Sequence, residues 1–289
     1  MDRIEVKSIA KINIGLRILS KRKDGYHNLQ TLFYPVSGLY DNLIFSKSDK
    51  LDFSSNIAKL NSDSNLILKA IKLIEEQCSV KLNVKITLNK KIPIGAGLGG
   101  GSSNAAKTLL SINKLYNLSL SNNKLMQLAL SLGSDVPLFL TTLPAIGTSR
   151  GELLQTIKFN FDKFILLVNP GIHISTKEAF GNLKSFSSDL INYPNIIKNG
   201  IIDFSKFEGN IKNDFENYVF EKYEEVSIIK NIMLENRALF SQMSGTGSTV
   251  YGIFDNLYDA KHAAELFPKN YFTHLELPKL NDREKIGHR

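Results

Sequence analysis

A glycine-rich stretch from Pro93 to Ala106 constrains the fold of this chain more than any other feature. It contains five glycines and two serines. Before it, apolar and polar residues alternate from Val80 to Asn89, which is the period of a half-buried strand. After it, residues 105–110 follow helical spacing. The glycines therefore join a strand to a helix, an arrangement in which backbone amides and a helix N-terminus hold a phosphate group.

The residues around these glycines decide which of the known phosphate-binding motifs the stretch matches. A P-loop ends in Gly-Lys-Ser or Gly-Lys-Thr, but the first lysine after these glycines is Lys107. The G-x-G-x-x-G spacing from Gly95 matches the dinucleotide fingerprint, yet no acidic residue lies between Ser102 and Asn123. The His-Arg-Asp and Asp-Phe-Gly strings of protein kinases do not occur. A flexible linker is the remaining alternative, and linkers are not bracketed by a strand and a helix.

Composition indicates an ordinary globular protein. The chain has 289 residues, of which 43% are hydrophobic and 22% are charged, enough for two domains. The sign of its net charge of +8 fits nucleic acid and a phosphorylated small molecule alike. The basic residues are scattered, and we expect no nucleic-acid partner. The single cysteine, Cys78, excludes an internal disulfide. No signal peptide or membrane span is visible, so we expect a cytoplasmic protein without membrane contact.

A long alternating strand is predicted over residues 4–18, with a bend near Ser8. Lys11 and Asn13 lie on the face of this strand opposite the apolar residues. Taken alone, Lys11 is better explained as a solvated lysine on an amphipathic strand. Asn13 would face whatever Lys11 faces.

A candidate acidic residue, Asp135, comes after a helical pattern over residues 121–132, which Ser121 is expected to cap. Gly133 ends this pattern, and Asp135 then stands at the start of a new helical turn that contains Pro137. The alternative interpretation of Asp135 is a helix N-cap, and an N-cap can also hold a carboxylate rigidly.

An Asp24-Gly25 turn joins the first strand to the segment that follows it. Tyr26 and His27 come directly after this turn. Without further information, an ordinary hairpin with one packed aromatic ring explains them equally well.

The second half of the chain predicts a compact α+β domain, and we place the boundary between 1–157 and 158–289. It contains a buried strand over 164–168, a helix ending near Asn236, a second glycine-rich turn over 243–249, a strand and a final helical pattern. The segment 185–209 is predicted as loop with a short helix. No role is predicted for that segment or for the basic tail from Asn281.

These features together resemble the GHMP kinases, the family of galactokinase, homoserine kinase, mevalonate kinase and phosphomevalonate kinase. The likeness covers essentially the whole chain, and the Asp-Gly-Tyr-His string is more specific than the glycine loop. Thr246 and Ser248 depart from the Ser and Ala of many relatives, which are conservative changes. The strings that carry the resemblance are 10–16, 24–32, 97–106, 133–137 and 243–249.

The resemblance implies an α+β fold of two domains: an N-terminal domain like ribosomal protein S5 and a ferredoxin-like C-terminal domain. It also implies phosphoryl transfer from ATP, accompanied by Mg²⁺ whose ligands stay unassigned. The strings match the branch that phosphorylates the 2-hydroxyl of 4-diphosphocytidyl-2-C-methyl-D-erythritol, on the non-mevalonate route to isoprenoid precursors. Such an enzyme is expected to be a monomer or weak homodimer.

The same resemblance assigns roles to individual residues. Asp135 is expected to take the hydroxyl proton, and Lys11 to lie beside it and stabilise negative charge. Tyr26 and Phe180 are expected to sandwich cytosine while His27 reads its edge. The substrate-binding set is Asn13, Tyr26, His27, Thr176 and Phe180. The ATP-binding set is Asn65, Leu66, Pro93, Ile94, Gly95, Ala96, Gly97, Leu98, Gly99, Gly100, Gly101, Ser102 and Ser103.

Three alternative functions remain. A GHMP kinase for mevalonate or homoserine has no base to stack, so Tyr26 and Phe180 argue against it. Retention of both Lys11 and Asp135 argues against a non-catalytic nucleotide sensor. An RNA-binding module would carry clustered basic and aromatic residues on one element, and no such cluster is present.

Overall fold

A long antiparallel hairpin at the N-terminus is the frame of the fold. The computed structural model describes residues 2–159, 161–198, 200–207 and 209–278. Strand β1 (Arg3–Lys21) pairs with β2 (His27–Lys47) along nearly its whole length. The predicted Asp24-Gly25 turn between them is confirmed, with Gly25 at a φ of 85°. The predicted bend near Ser8 is a shift of register between Ile9 and Ala10.

Six strands form the first sheet, in the order β3-β4-β2-β5-β6 with β1 also paired to β2. All pairs are antiparallel except β3 with β4. The strand predicted over 80–89 begins only at Val84, because the amide of Val80 closes the preceding helix by donating to Glu75 O. The added strands are β3 (Asp52–Ser55), β4 (Val84–Asn89), β5 (Ala145–Thr148) and β6 (Leu153–Thr156).

Four helices belong to this half and bury a core against β2 and β4. They are α1 (Leu66–Cys78), α2 (Gly100–Leu115), α3 (Asn122–Leu132) and α4 (Leu138–Thr141), with a short 3₁₀ turn at Ala58–Leu60. Ser121 caps α3 as predicted, accepting from the Lys124 amide. The N-cap alternative for Asp135 is wrong, since α4 begins at Leu138 with Pro137 at the cap position.

The second half folds around a four-stranded antiparallel sheet of order β10-β11-β7-β12, which confirms the α+β class. Helices α8 and α9 bury a core against it. The elements are β7 (Phe164–Asn169), α5 (Thr176–Gly181), α6 (Tyr193–Ile196), β8 (Ile197–Lys198), β9 (Ile201–Ile202), a 3₁₀ turn (Phe204–Lys206), α7 (Glu216–Lys222), α8 (Glu224–Glu235), β10 (Phe240–Met243), β11 (Val250–Phe254), α9 (Leu257–Glu265) and β12 (Phe272–Glu276). The tail from Asn281 lies outside the described residues.

The middle of β1, from Ala10 to Leu16, is buried on both faces, which differs from the half-buried strand that the alternation predicts. Ile12 and Ile14 pack with Leu167 and Tyr251 in a core shared by the two sheets. On the other face Lys11 is only 3% exposed, so the alternative of a solvated lysine is wrong. Because this core draws on both halves, the boundary at residue 157 stays a prediction. Within the described residues, no helix has the length and apolar character to cross a bilayer.

The two glycine-rich segments pack directly on each other where the halves meet. Ser244 Oγ donates to Gly97 O at 3.0 Å, and the Thr249 amide donates to Ala96 O at 3.3 Å. A Cβ on Gly97 would clash with the backbone oxygen of Ser244, and Gly97 has a φ of 76°. Glycine is therefore required at this position for two separate reasons.

We expect Gly97→Ala to destabilise the fold by about 2–4 kcal/mol, from left-handed backbone strain together with overpacking. The measurement is the free energy of unfolding in urea. Gly101→Ala is the matched control, because its Cβ would meet only Leu66 Cδ1 at 3.8 Å in a helical turn. Equal stability of the two variants would contradict the close approach of the two turns.

Candidate active site

The structure brings Lys11 and Asp135 together. Lys11 projects from β1, and Asp135 lies in the turn between α3 and α4. Lys11 Nζ is 3.4 Å from Asp135 Oδ2. The lysine side chain is 4% exposed and the carboxylate side chain 35% exposed, so the carboxylate is the member of the pair that a ligand reaches.

The ammonium of Lys11 is surrounded by oxygen atoms. It donates hydrogen bonds to Asn13 Oδ1 at 2.6 Å and to Gly97 O at 3.1 Å, and it forms an ion pair with Asp135. An ammonium group has three donors and no acceptor, so these two hydrogen bonds use two of its donors. The Lys11 amide also donates to Leu98 O at 3.0 Å, which fixes this part of β1 against the glycine loop.

The side chain of Asn13 is engaged in hydrogen bonds within the protein, one of them with Lys11. Its Nδ2 donates to Thr31 Oγ1 at 3.0 Å, while its Oδ1 accepts from Lys11. Its backbone amide donates to Ser244 Oγ at 3.2 Å. The predicted contact of Asn13 with substrate stays a prediction, since its side chain already has a partner at each end.

The glycine loop between β4 and α2 has the backbone of an anion site. Gly95, Gly97 and Gly99 have φ values of 64°, 76° and 69°, and they alternate with buried Ala96 and Leu98. Such alternation of left-handed and ordinary residues turns successive amides toward one side, which forms a nest for anions. The loop ends at the N-terminus of α2, a helix of 16 residues whose dipole adds to the attraction.

The remaining nucleotide-binding candidates divide by exposure. Ser102 is half-buried at the first turn of α2, whereas Ser103 is fully buried and accepts a hydrogen bond from Ser8 Oγ. Ser103 therefore supports the loop from inside. Asn65 uses its side chain to cap α1 and to bind Leu60 O, and Leu66 borders Gly101. Pro93 and Gly100 line the two ends of the loop, and Ile94 is 38% exposed.

A buried ion pair beneath the loop was missed by sequence reasoning. Lys90 Nζ lies 2.8 Å from Asp41 Oδ2 and also donates to Ile92 O. Asp41 Oδ1 accepts from the amides of Lys91 and Ile92 at 2.8 Å each. Burial lowers the pKa of Lys90, and the carboxylate of Asp41 opposes that effect. The pair fixes the chain just before Pro93; its only signal in the sequence is an aspartate inside an apolar strand.

Two further residues that were not predicted hold the second glycine turn. Asn213 Nδ2 donates to Met243 O and to Gly245 O, both at 2.8 Å. The Met243 amide donates to Glu216 Oε1 at 2.8 Å. Burial raises the pKa of Glu216, and Lys230 opposes that effect. No motif in the sequence marks either residue, because each acts through backbone atoms far away along the chain.

The aromatic residues predicted to bind cytosine are arranged differently from the expected sandwich. His27 stacks on Phe180, with ring centroids 4.7 Å apart and planes at 24°. Tyr26 is 51% exposed and lies under the guanidinium of Arg150, 4.4 Å from its ring centroid. The ring that covers Phe180 is thus His27 and not Tyr26. Burial lowers the pKa of His27, and Lys21 lowers it further.

The last predicted residue, Thr176, begins α5 and faces the second glycine turn. Its hydroxyl oxygen is 3.5 Å from that of Thr246, and both residues are exposed or half-buried. Across the part of the chain that is described, no group of three or more His, Cys, Asp or Glu residues forms a metal cage.

Comparison with known families agrees with this geometry. The family of GHMP kinases N terminal domains matches residues 65–142, and that of GHMP kinases C terminal domains matches residues 193–272. One match lies in each half of the fold, and the first includes the glycine loop.

Curated relatives match over nearly the whole chain. The 4-diphosphocytidyl-2-C-methyl-D-erythritol kinase of Chlorobium phaeobacteroides is 42% identical over 96% of this chain and 98% of its own length. The enzyme of the same name from Prosthecochloris aestuarii is 39% identical over 94% of this chain and 96% of its own length.

Solved structures give the same result. A crystal structure of 4-(cytidine 5'-diphospho)-2C-methyl-D-erythritol kinase superposes with a TM-score of 0.82 at 31% identity, covering 96% of this chain and all of that one. Methanococcus jannaschii mevalonate kinase has a TM-score of 0.69 over 96% of this chain and 99% of its own, but its 17% identity shows the fold alone. With these relatives, the chain belongs to the GHMP kinase family, in its branch of 4-diphosphocytidyl-2-C-methyl-D-erythritol kinases.

Proposed function

We propose that the chain transfers the terminal phosphoryl group of ATP to the 2-hydroxyl of 4-diphosphocytidyl-2-C-methyl-D-erythritol. This reaction belongs to the non-mevalonate route to isoprenoid precursors. The observation that carries the proposal is that Lys11 Nζ contacts both Asp135 and a carbonyl of the glycine loop, Gly97 O. One cation thereby lies beside the predicted base and the predicted phosphate site. The relatives at 42% and 39% identity supply the substrate.

In this mechanism Asp135 accepts the proton of the attacking hydroxyl as the oxygen approaches the phosphorus atom. Its carboxylate is 35% exposed and faces the ligand, while Lys11 stays buried behind it. The ammonium of Lys11 stabilises the charge that develops on the transferred group. Phosphoryl transfer requires mainly positioning and charge neutralisation, and this pair with the loop provides both.

The glycine loop holds the phosphates of ATP through its backbone amides and the N-terminus of α2. Mg²⁺ accompanies ATP and neutralises phosphate charge when it is bound. The hydroxyl of Ser102, half-buried in the first turn of α2, would supply one ligand to an ion that takes most of its ligands from phosphates and water. The described residues contain no group of three or more His, Cys, Asp or Glu side chains that would cage the ion.

The cytidine end of the substrate is assigned to the aromatic group around α5. Because its pKa is lowered, His27 is mainly neutral near pH 7, so its ring offers one donor and one acceptor to the cytosine edge. Tyr26 is exposed, with the guanidinium of Arg150 over one face of its ring, so the base would stack on the other face. For cytosine to reach the face of Phe180, the imidazole of His27 leaves that face. We further propose that the enzyme is cytoplasmic and a monomer or weak homodimer.

We expect Asp135→Asn to lower kcat by at least about 100-fold, because loss of a general base removes 10²- to 10⁴-fold. Affinity for a non-hydrolysable ATP analogue should stay within a few fold, since the loop is intact. The measurements are steady-state ATP consumption and calorimetric titration. Asp49→Asn changes an exposed carboxylate and serves as control. Near-normal turnover of Asp135→Asn would refute the assigned chemistry.

We expect Tyr26→Ala to raise KM for the cytidine substrate about tenfold, a loss within the range of base stacking on an aromatic ring. KM for ATP should not change. The matched control is Tyr258→Ala, which removes a tyrosine that is 76% exposed on α9. If direct titration shows unchanged affinity of Tyr26→Ala for the cytidine substrate, Tyr26 does not stack on the base.

A further inference from the structure

Phe186 is exposed, whereas the other phenylalanines that the structure describes are buried or half-buried. It is 47% exposed, and among the residues that the structure describes no other phenylalanine is classed with the exposed large apolar residues. It lies just after α5, in the segment for which the sequence predicts no role. An exposed phenyl ring lacks the stabilisation that burial gives, so we looked for a functional reason for the exposure of Phe186.

The ring of Phe186 belongs to the aromatic group already described. It lies 5.9 Å from the ring of His27, with planes tilted by 48°. His27 in turn stacks on Phe180, which packs edge-on against buried Phe215 at 4.8 Å. The imidazole of His27 therefore touches two phenyl rings, of which one is supported by the core and the other faces solvent.

The backbone beside Phe186 is fixed in place. The Ser187 amide donates to Ile18 O at 2.8 Å, and Ser187 Oγ donates to Asp214 Oδ2 at 2.8 Å. Asp214 also pairs with Arg17 at 3.3 Å and accepts from the Ile18 amide at 2.7 Å. A cavity of about 110 Å³ borders the ring on the side of Asp214 and Tyr218. The segment thus presents Phe186 from an ordered support next to open space.

We propose that Phe186 is a further wall of the nucleobase site, a third aromatic ring beside Tyr26 and Phe180. When the imidazole of His27 moves off Phe180 to read the base edge, cytosine takes the space that it leaves and contacts Phe186. A ring that is already fixed loses little conformational entropy on binding, so its contact converts efficiently into affinity. This inference rests on the proposed function, because it concerns the same substrate.

The test compares Phe186→Ala and Phe186→Tyr with the unchanged chain. Phe186→Ala should weaken binding of cytidine diphosphate and raise KM for the cytidine substrate by about five- to tenfold, as loss of one base-stacking ring does. Phe186→Tyr keeps the ring and should stay within about twofold. KM for ATP and kcat should not change. Cytidine diphosphate is titrated calorimetrically, and turnover is measured with the full substrate.

Leu190→Ala is the matched control, because Leu190 is 61% exposed on the same segment. The melting temperature of Phe186→Ala should stay within about 2 °C, as for other surface substitutions. Unchanged affinity of Phe186→Ala for cytidine diphosphate, in a chain whose unchanged form binds it, would overturn the inference. If the unchanged chain binds no cytidine diphosphate and does not turn over the substrate, the proposed function itself fails.

Discussion

The carbonyl oxygen of Gly97 is the point on which the site depends. It accepts from Lys11 Nζ at 3.1 Å and from Ser244 Oγ at 3.0 Å. Three segments that are remote in sequence, the first strand, the glycine loop and the second glycine turn, thus share one acceptor. A displacement of any of them breaks a hydrogen bond of the others, so the fold of both halves and the geometry of the site are linked.

Burial of Lys11 is what makes this junction suited to the proposed chemistry. A buried ammonium is stable only with oxygen partners, and removal of one partner leaves an uncompensated charge. Asn13, Gly97 and Asp135 supply those partners. Asn13 is buried in the strand, and the carbonyl oxygen of Gly97 already accepts two hydrogen bonds. The carboxylate of Asp135 is therefore the partner that remains accessible to a substrate hydroxyl. The same contacts that satisfy the charge therefore orient the proposed base.

Local features of the site were predictable, and long-range supports were not. Periodicity placed the glycine loop between a strand and a helix, and the resemblance paired Lys11 with Asp135. The Asp41–Lys90 pair depends on register between distant strands, which no local pattern records. The hairpin after Asp24-Gly25 was weighed, but the extent of its second strand, β2, to Lys47 was not predicted, because Ser37 and Gly38 interrupt the apolar pattern. In the fold, Glu276 from β12 accepts the hydrogen bonds of both amides. The stack of His27 on Phe180 likewise follows from tertiary packing alone.

The most direct test of the central claim is a double-mutant cycle on kcat that combines Lys11→Met with Asp135→Asn. If the two groups act as one unit on the transferred phosphoryl group, the double variant is about as slow as the slower single variant, since residues that act together are strongly non-additive. Multiplication of the two single effects in the double variant would show that Lys11 and Asp135 act independently, and would contradict the account.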